Sequence, residues 1–384
     1  MFTRIAVCLS LALLAQASLA AVPSPPEASA AETAHAEQEA KAAYQRHLAS
    51  MREAVLPVYL KLRESSAPRD WMLASQLWPL DENDPLSSHA ARAELLRNAV
   101  AAAPDDVIVQ WVGMTARTSG GSGCSAPAQL PANMDNVLRL EGDNGIAWLP
   151  VLRQAYQDKD ALGVDSALSR MAAATRFDDH ANEHAQLLVT LYEQNPQMVA
   201  SRSDGETVGG LDANVSMAMM MAHSTAPSLY LLETVCDRAQ KPAVEPRRFS
   251  ICADIGRQLS AHGKSFGLRE QGRSLLRKLG EVDPNADESR REMAYLAWAM
   301  GRSPDQTQLN AIVRDEWLRT GDEVQAARAV VRALGLPLTP PAMWQMPAEF
   351  AEAFDAAESD QTLEDTDDDE TNEDDGPATE SEPD

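Results

Sequence analysis

Apolar residues in this chain recur at intervals of three and four, and no stretch alternates convincingly with the period of two that marks a half-buried strand. Leu95, Leu96, Ala99 and Val100 form one such face, and Leu187, Leu188, Leu191 and Tyr192 form another. Leu275, Leu276 and Leu279 make a third, and Met293, Tyr295, Leu296 and Trp298 a fourth. Alanine, the best helix former, supplies 63 of the 384 residues. The seven tryptophans, at 71, 78, 111, 148, 298, 317 and 344, fall at helical positions suited to packing between helices. Breaks in the pattern coincide with Pro104-Asp105-Asp106, Gly142-Asp143-Asn144, Pro196, Pro227, Asp283-Pro284-Asn285 and Ser303-Pro304-Asp305. In these breaks an Asp, Asn or Ser caps the next helix and proline suits its first turn. Their spacing gives helices of about 12–18 residues joined by short turns, which makes neighbours antiparallel. The expectation is an all-α fold, an α-solenoid of helix hairpins over residues 32–354.

The two ends differ from this body. Arg4 followed by the apolar run Ile5 to Leu14, with Ser18-Leu19-Ala20 as a small-residue cleavage site, reads as a signal peptide over residues 1–20. That run is too short to span a bilayer, and no later stretch reaches the ~18 uninterrupted apolar residues a span needs. The mature chain is therefore expected to be exported, periplasmic or secreted, with no transmembrane segment. Residues 21–31 are a Pro- and Ala-rich leader. Residues 355–384 hold fifteen Asp or Glu and no Lys or Arg, a composition that repels itself and stays disordered. The tail carries −15 of the net −25, leaving −10 for the rest. Such a balance repels phosphate, and with no basic stripe along the chain it argues against nucleic-acid binding.

Export places the cysteines where disulfides persist. Cys124, Cys236 and Cys252 remain after signal cleavage. Cys236 lies near the end of one expected helix and Cys252 near the start of the next, with Lys241 to Pro246 as the turn between them. Each sits five or six residues from that turn, so a Cys236–Cys252 disulfide is expected, leaving Cys124 as a free thiol in the Gly-Ser loop.

A degraded repeat runs through the helical part. The stretch Leu95 to Asp106 precedes Trp111, Val137 to Asn144 precedes Trp148, and Leu275 to Asn285 precedes Tyr295 and Trp298. This resembles the tetratricopeptide repeat: a second helix ends in a Pro- or Gly-containing Asp/Asn turn, and an aromatic opens the next first helix. Trp148 to Ala174, with Tyr156 and Ala167, is the nearest match, although Pro150 should strain its first helix. The resemblance implies a curved stack of helix pairs with a groove for a peptide or protein. The alternative is a helical domain whose boundaries look alike only because its helices are capped alike.

One motif suggests chemistry. On a helix, His180 and His184 of His180-Ala-Asn-Glu183-His184 share a face that suits Zn²⁺, and Glu183 stands where a base would activate a bound water. Asp178 and Asp179 add oxygen donors, or simply cap the helix. Met217, Met219, Met221 and His223 have spacing that suits Cu(I), or plain core packing. Gly120-Gly121-Ser122-Gly123 lacks the strand and the final glycine of a nucleophile elbow. No catalytic, cofactor or metal residue is assigned. The leading expectation is a non-catalytic scaffold or adaptor in the cell envelope that holds a protein or peptide partner. The alternative is an envelope metal-binding protein or hydrolase using His180, Glu183 and His184.

Overall fold

The computed structural model describes residues 30–351, apart from 78–79, 82, 116–131, 201–217, 219–221, 223–228, 238–245, 282–285, 302–305 and 349–350. The expected signal peptide and acidic tail, Trp78, Cys124, and all of the Met217–His223 cluster except Ala218 and Ala222 lie outside the described residues. The chain divides into units at 1–342 and 343–384. Everything below concerns the first.

Its described residues form helices joined by turns and short connections, with no strand among them. In order the helices are α1 (Ala30–Arg63), α2 (Pro68–Gln76), α3 (His89–Ala102), α4 (Val107–Thr115) and α5 (Met134–Glu141). A 3₁₀ turn (Gly145–Trp148) leads into α6 (Leu149–Gln157), followed by α7 (Ala161–Ala172), α8 (Ala181–Gln194) and α9 (Gln197–Ala200). Then come α10 (Tyr230–Cys236), α11 (Pro246–His262), α12 (Phe266–Leu279), α13 (Ala286–Met300), α14 (Gln306–Thr320) and α15 (Glu323–Ala333). Most of the strong packing joins consecutive helices, notably α2 with α3, α6 with α7, α11 with α12 and α14 with α15.

Of the expected breaks, Pro227, Asp283-Pro284-Asn285 and Ser303-Pro304-Asp305 lie outside the described residues; elsewhere several helix starts carry side-chain caps. Ser88 accepts from the Ala91 N–H, Asp160 from Gly163, Ser265 from Leu268 and Asp322 from Gln325. Asp106 caps α4 through the amides of Ile108 and Val109. Asn144 does the same for the 3₁₀ turn through Ile146. Pro150 strains nothing, contrary to expectation. It sits in the first turn of α6, where a missing N–H costs no helical bond.

Two apolar cores form. One gathers Val55, Tyr59, Met72, Leu96, Leu188, Tyr192 and Trp317 from α1, α2, α3, α8 and α14. The other gathers Val137, Leu152, Leu168, Phe177, Leu232, Ile255 and Leu276 from α5–α7 and α10–α12. Helix α4 serves both, with Ile108, Val109 and Val112 in the first core and Trp111 and Met114 in the second. The Cys236–Cys252 disulfide forms as expected, with Cα atoms 5.9 Å apart, and staples the end of α10 to α11 inside the second core.

Candidate functional site: a charged cleft over His180

Between the two cores lies an open cleft of about 570 Å³, lined in part by Arg69, Asp106, Ile108, Glu141, His180 and Glu183. Its geometry begins with the entry into α8. Asp178 Oδ1 accepts from the His180 amide (3.0 Å) and Asp179 Oδ1 from the Ala181 amide (3.1 Å). These two short-range bonds end the connector in a turn, and His180 adopts a left-handed backbone, φ 53°. Helix α8 therefore starts after His180, not through it. The expectation that His180 and His184 share a helix face fails for this reason.

The two rings go to different places. His180, 4% exposed on its side chain, holds Glu183 Oε2 at 2.6 Å with Nδ1 and Glu141 Oε2 at 2.8 Å with Nε2. Carboxylates face both nitrogens, so both nitrogens carry protons and the ring is a cation. Burial opposes that charge, but the bonds to Glu141 and Glu183, with Asp178 nearby, push the pKa up to about 9. His184 instead bonds Gln76 Oε1 on α2 through Nε2, and burial pushes it down to about 4, so it is neutral. Among the described residues no group of three His, Cys, Asp or Glu side chains is placed to hold a metal ion.

The sequence reading missed the groups that complete the cluster. Glu141, at the end of α5, takes Arg176 on Oε1 at 2.7 Å, with His180 and the Asn144 amide (3.0 Å) on Oε2. Burial works against its charge, yet those three donors hold it down to about 2. Asn144 also donates to the Asp178 carbonyl (2.7 Å) and accepts from the Asp178 amide (3.1 Å), which locks the α5–α6 turn to the α7–α8 connector. The two segments run close enough that a Cβ on Gly145 would stand 2.3 Å from the Phe177 ring, so only glycine fits. Lys264, in the α11–α12 turn, pairs with buried Asp178, and the charge of His180 together with that of Lys264 keeps the carboxyl below its usual range despite burial. Trp111 meets the His180 ring edge-on at 4.7 Å. At the rim Arg69 reaches Asp106 at 2.6 Å, and Asp105 and Glu183 stay in contact with solvent. A Gly-Asp-Asn stretch was legible only as a turn, and nothing local tied it to residue 180.

Near neutrality the paired groups therefore keep Glu141 ionised and His180 protonated. The cleft rim offers fixed charge of both signs beside Val107 and Ile108. Among the described residues no helix is long and apolar enough to cross a membrane. No known protein family, curated protein or solved structure matches this chain.

Proposed function

We propose that this chain is an exported, non-catalytic helical scaffold that holds a protein or peptide partner in the cell envelope. In this reading the body is a degenerate tetratricopeptide-like stack and the cleft over His180 is where the partner docks. The observation that carries the reading is the charge pairing under the cleft: His180, Arg176 and Lys264 are matched by Glu141, Glu183 and Asp178, so these side chains are engaged in holding segments of the fold together. The rim, with Arg69, Asp105, Asp106 and Glu183 around Val107 and Ile108, suits the mixed polar and apolar surface of a polypeptide. Pairing of consecutive helices, as in α6 with α7 and α11 with α12, supports the repeat-like stack.

A photo-crosslinking amino acid placed at Asp105 tests this in cells. The expected result is one discrete crosslinked polypeptide in the envelope fraction, lost on Glu183→Lys. Absence of any crosslinked polypeptide, in a chain that is exported and folded, would overturn the docking assignment. Export itself predicts a mature amino terminus at Ala21, read by terminal sequencing of the envelope protein.

A further inference from the structure

Helix α13 presents Arg291, Tyr295 and Trp298 four and three residues apart, which places them on one face. Tyr295 and Trp298 stack with ring centroids 5.5 Å apart and planes inclined by 25°. Across this face runs the chain's own segment from Leu336 to Ala342, which leaves α15 through a left-handed Gly335 at φ 67°. The Tyr295 hydroxyl donates to the Pro337 carbonyl at 2.9 Å. Arg291 donates to the carbonyls of Pro341 and Ala342, the latter at 3.1 Å. Residue numbers rise along the segment as they fall along the helix, so the two run in opposite directions.

We propose that this face of α13 is a docking groove for a proline-rich peptide, covered in the isolated chain by its own Leu336–Ala342 segment. The occupant already present defines the chemistry. Pro337, Pro340 and Pro341 fix φ and cannot donate a backbone N–H, and the chain bends at Leu338 and Thr339, which leaves the Pro337, Pro341 and Ala342 carbonyls facing the side-chain donors of α13. Aromatic rings flanked by hydroxyl or N–H donors are the surface such backbones dock on. Among the described residues, no backbone-to-backbone hydrogen bond involves residues 337–342. The segment also lies shallow, with Leu338 42% exposed. A cover held by side-chain donors to its carbonyls is displaceable by a competing peptide that offers the same carbonyls. The inference concerns a different surface from the cleft over His180, and it stands or falls separately from the proposed function.

The test titrates a labelled peptide of sequence 335–343 into the full chain and into full chain carrying Pro337→Gly, Pro340→Gly and Pro341→Gly. At the millimolar effective concentration of a tethered segment, removing the competitor should tighten peptide binding by roughly tenfold. Adding Arg291→Gln and Tyr295→Phe to the glycine variant should abolish that gain. Equal binding by both chains, or none by the glycine variant, overturns the proposal. If the glycine variant fails to fold, a peptide carrying a photo-crosslinking residue at the Leu338 position decides on the unmodified chain. It should crosslink to α13, and no crosslink there would overturn the proposal.

Discussion

His180 and His184 stand one helical turn apart in sequence, yet the fold gives them opposite electrical states, and stability should depend on pH through both. His180 has a pKa raised from near 6.5 to about 9. Its stabilisation is complete below the unfolded value and is lost as pH rises toward 9. His184 has a pKa lowered from near 6.5 to about 4, so its contribution is complete above 6.5 and is lost as pH falls toward 4. Only near pH 6.5 are both contributions present. Each limb is worth about 3 kcal/mol at its far end. Urea denaturation across pH 4–9 should therefore show His180→Gln flattening the alkaline limb and His184→Gln flattening the acid limb. The reverse pattern would show the protonation states to be misassigned. Glu141, lowered from 4.5 to about 2, adds a third limb, complete above pH 4.5 and lost as pH falls from there toward 2. At neutral pH, His180→Gln should also cost about 2–3 kcal/mol, the loss of charged hydrogen bonds to two carboxylates.

Helices were legible wherever a local rule set them, and the run from α10 to α12 shows both the reach and the limit of such rules. The disulfide joining α10 to α11 could be read from sequence because its cysteines lie only 16 residues apart. The reason α11 and α12 pack so closely could not. A Cβ on Gly272 would lie 2.4 Å from the Ser260 nitrogen and 2.7 Å from the Gly256 carbonyl oxygen, so the backbones touch there. A glycine inside a helix ordinarily gives way to alanine with a gain of up to about 1 kcal/mol. Here Gly272→Ala should destabilise by about 1–3 kcal/mol, because the helices must separate to admit the methyl. Thermal melts decide the sign. Reduction of Cys236–Cys252 acts through the unfolded chain instead. It should cost about 3 kcal/mol, seen as a lower urea midpoint in dithiothreitol that Cys236→Ala/Cys252→Ala reproduces. The cleft was legible only in part. His180 and Glu183 are three positions apart and stood out, whereas Glu141 lies 39 positions from His180 and Lys264 lies 86 from Asp178. Their pairing is set by how the helices stack, which no local pattern encodes.

At the scale of the helical body, the sharing of α4 decides how the two cores respond to stress. A helix with Ile108, Val109 and Val112 in one core and Trp111 and Met114 in the other cannot leave either without exposing apolar surface in both. The electrostatic clasp reinforces this, because Glu141 and Asp178 belong to segments of the second core while His180 opens α8 of the first. Asn182 adds a tie within the first core by accepting from the Trp317 indole at 2.6 Å. The body should therefore unfold in one step, with circular dichroism and tryptophan fluorescence reporting the same urea midpoint. Ile108→Ala removes packing from the first core and Met114→Ala from the second, each at a cost of about 2–5 kcal/mol. If the cores are one cooperative unit, either change lowers both signals together. If either variant separates fluorescence from circular dichroism, α4 is a hinge between two independently stable halves. The cleft above it would then open and close with their motion.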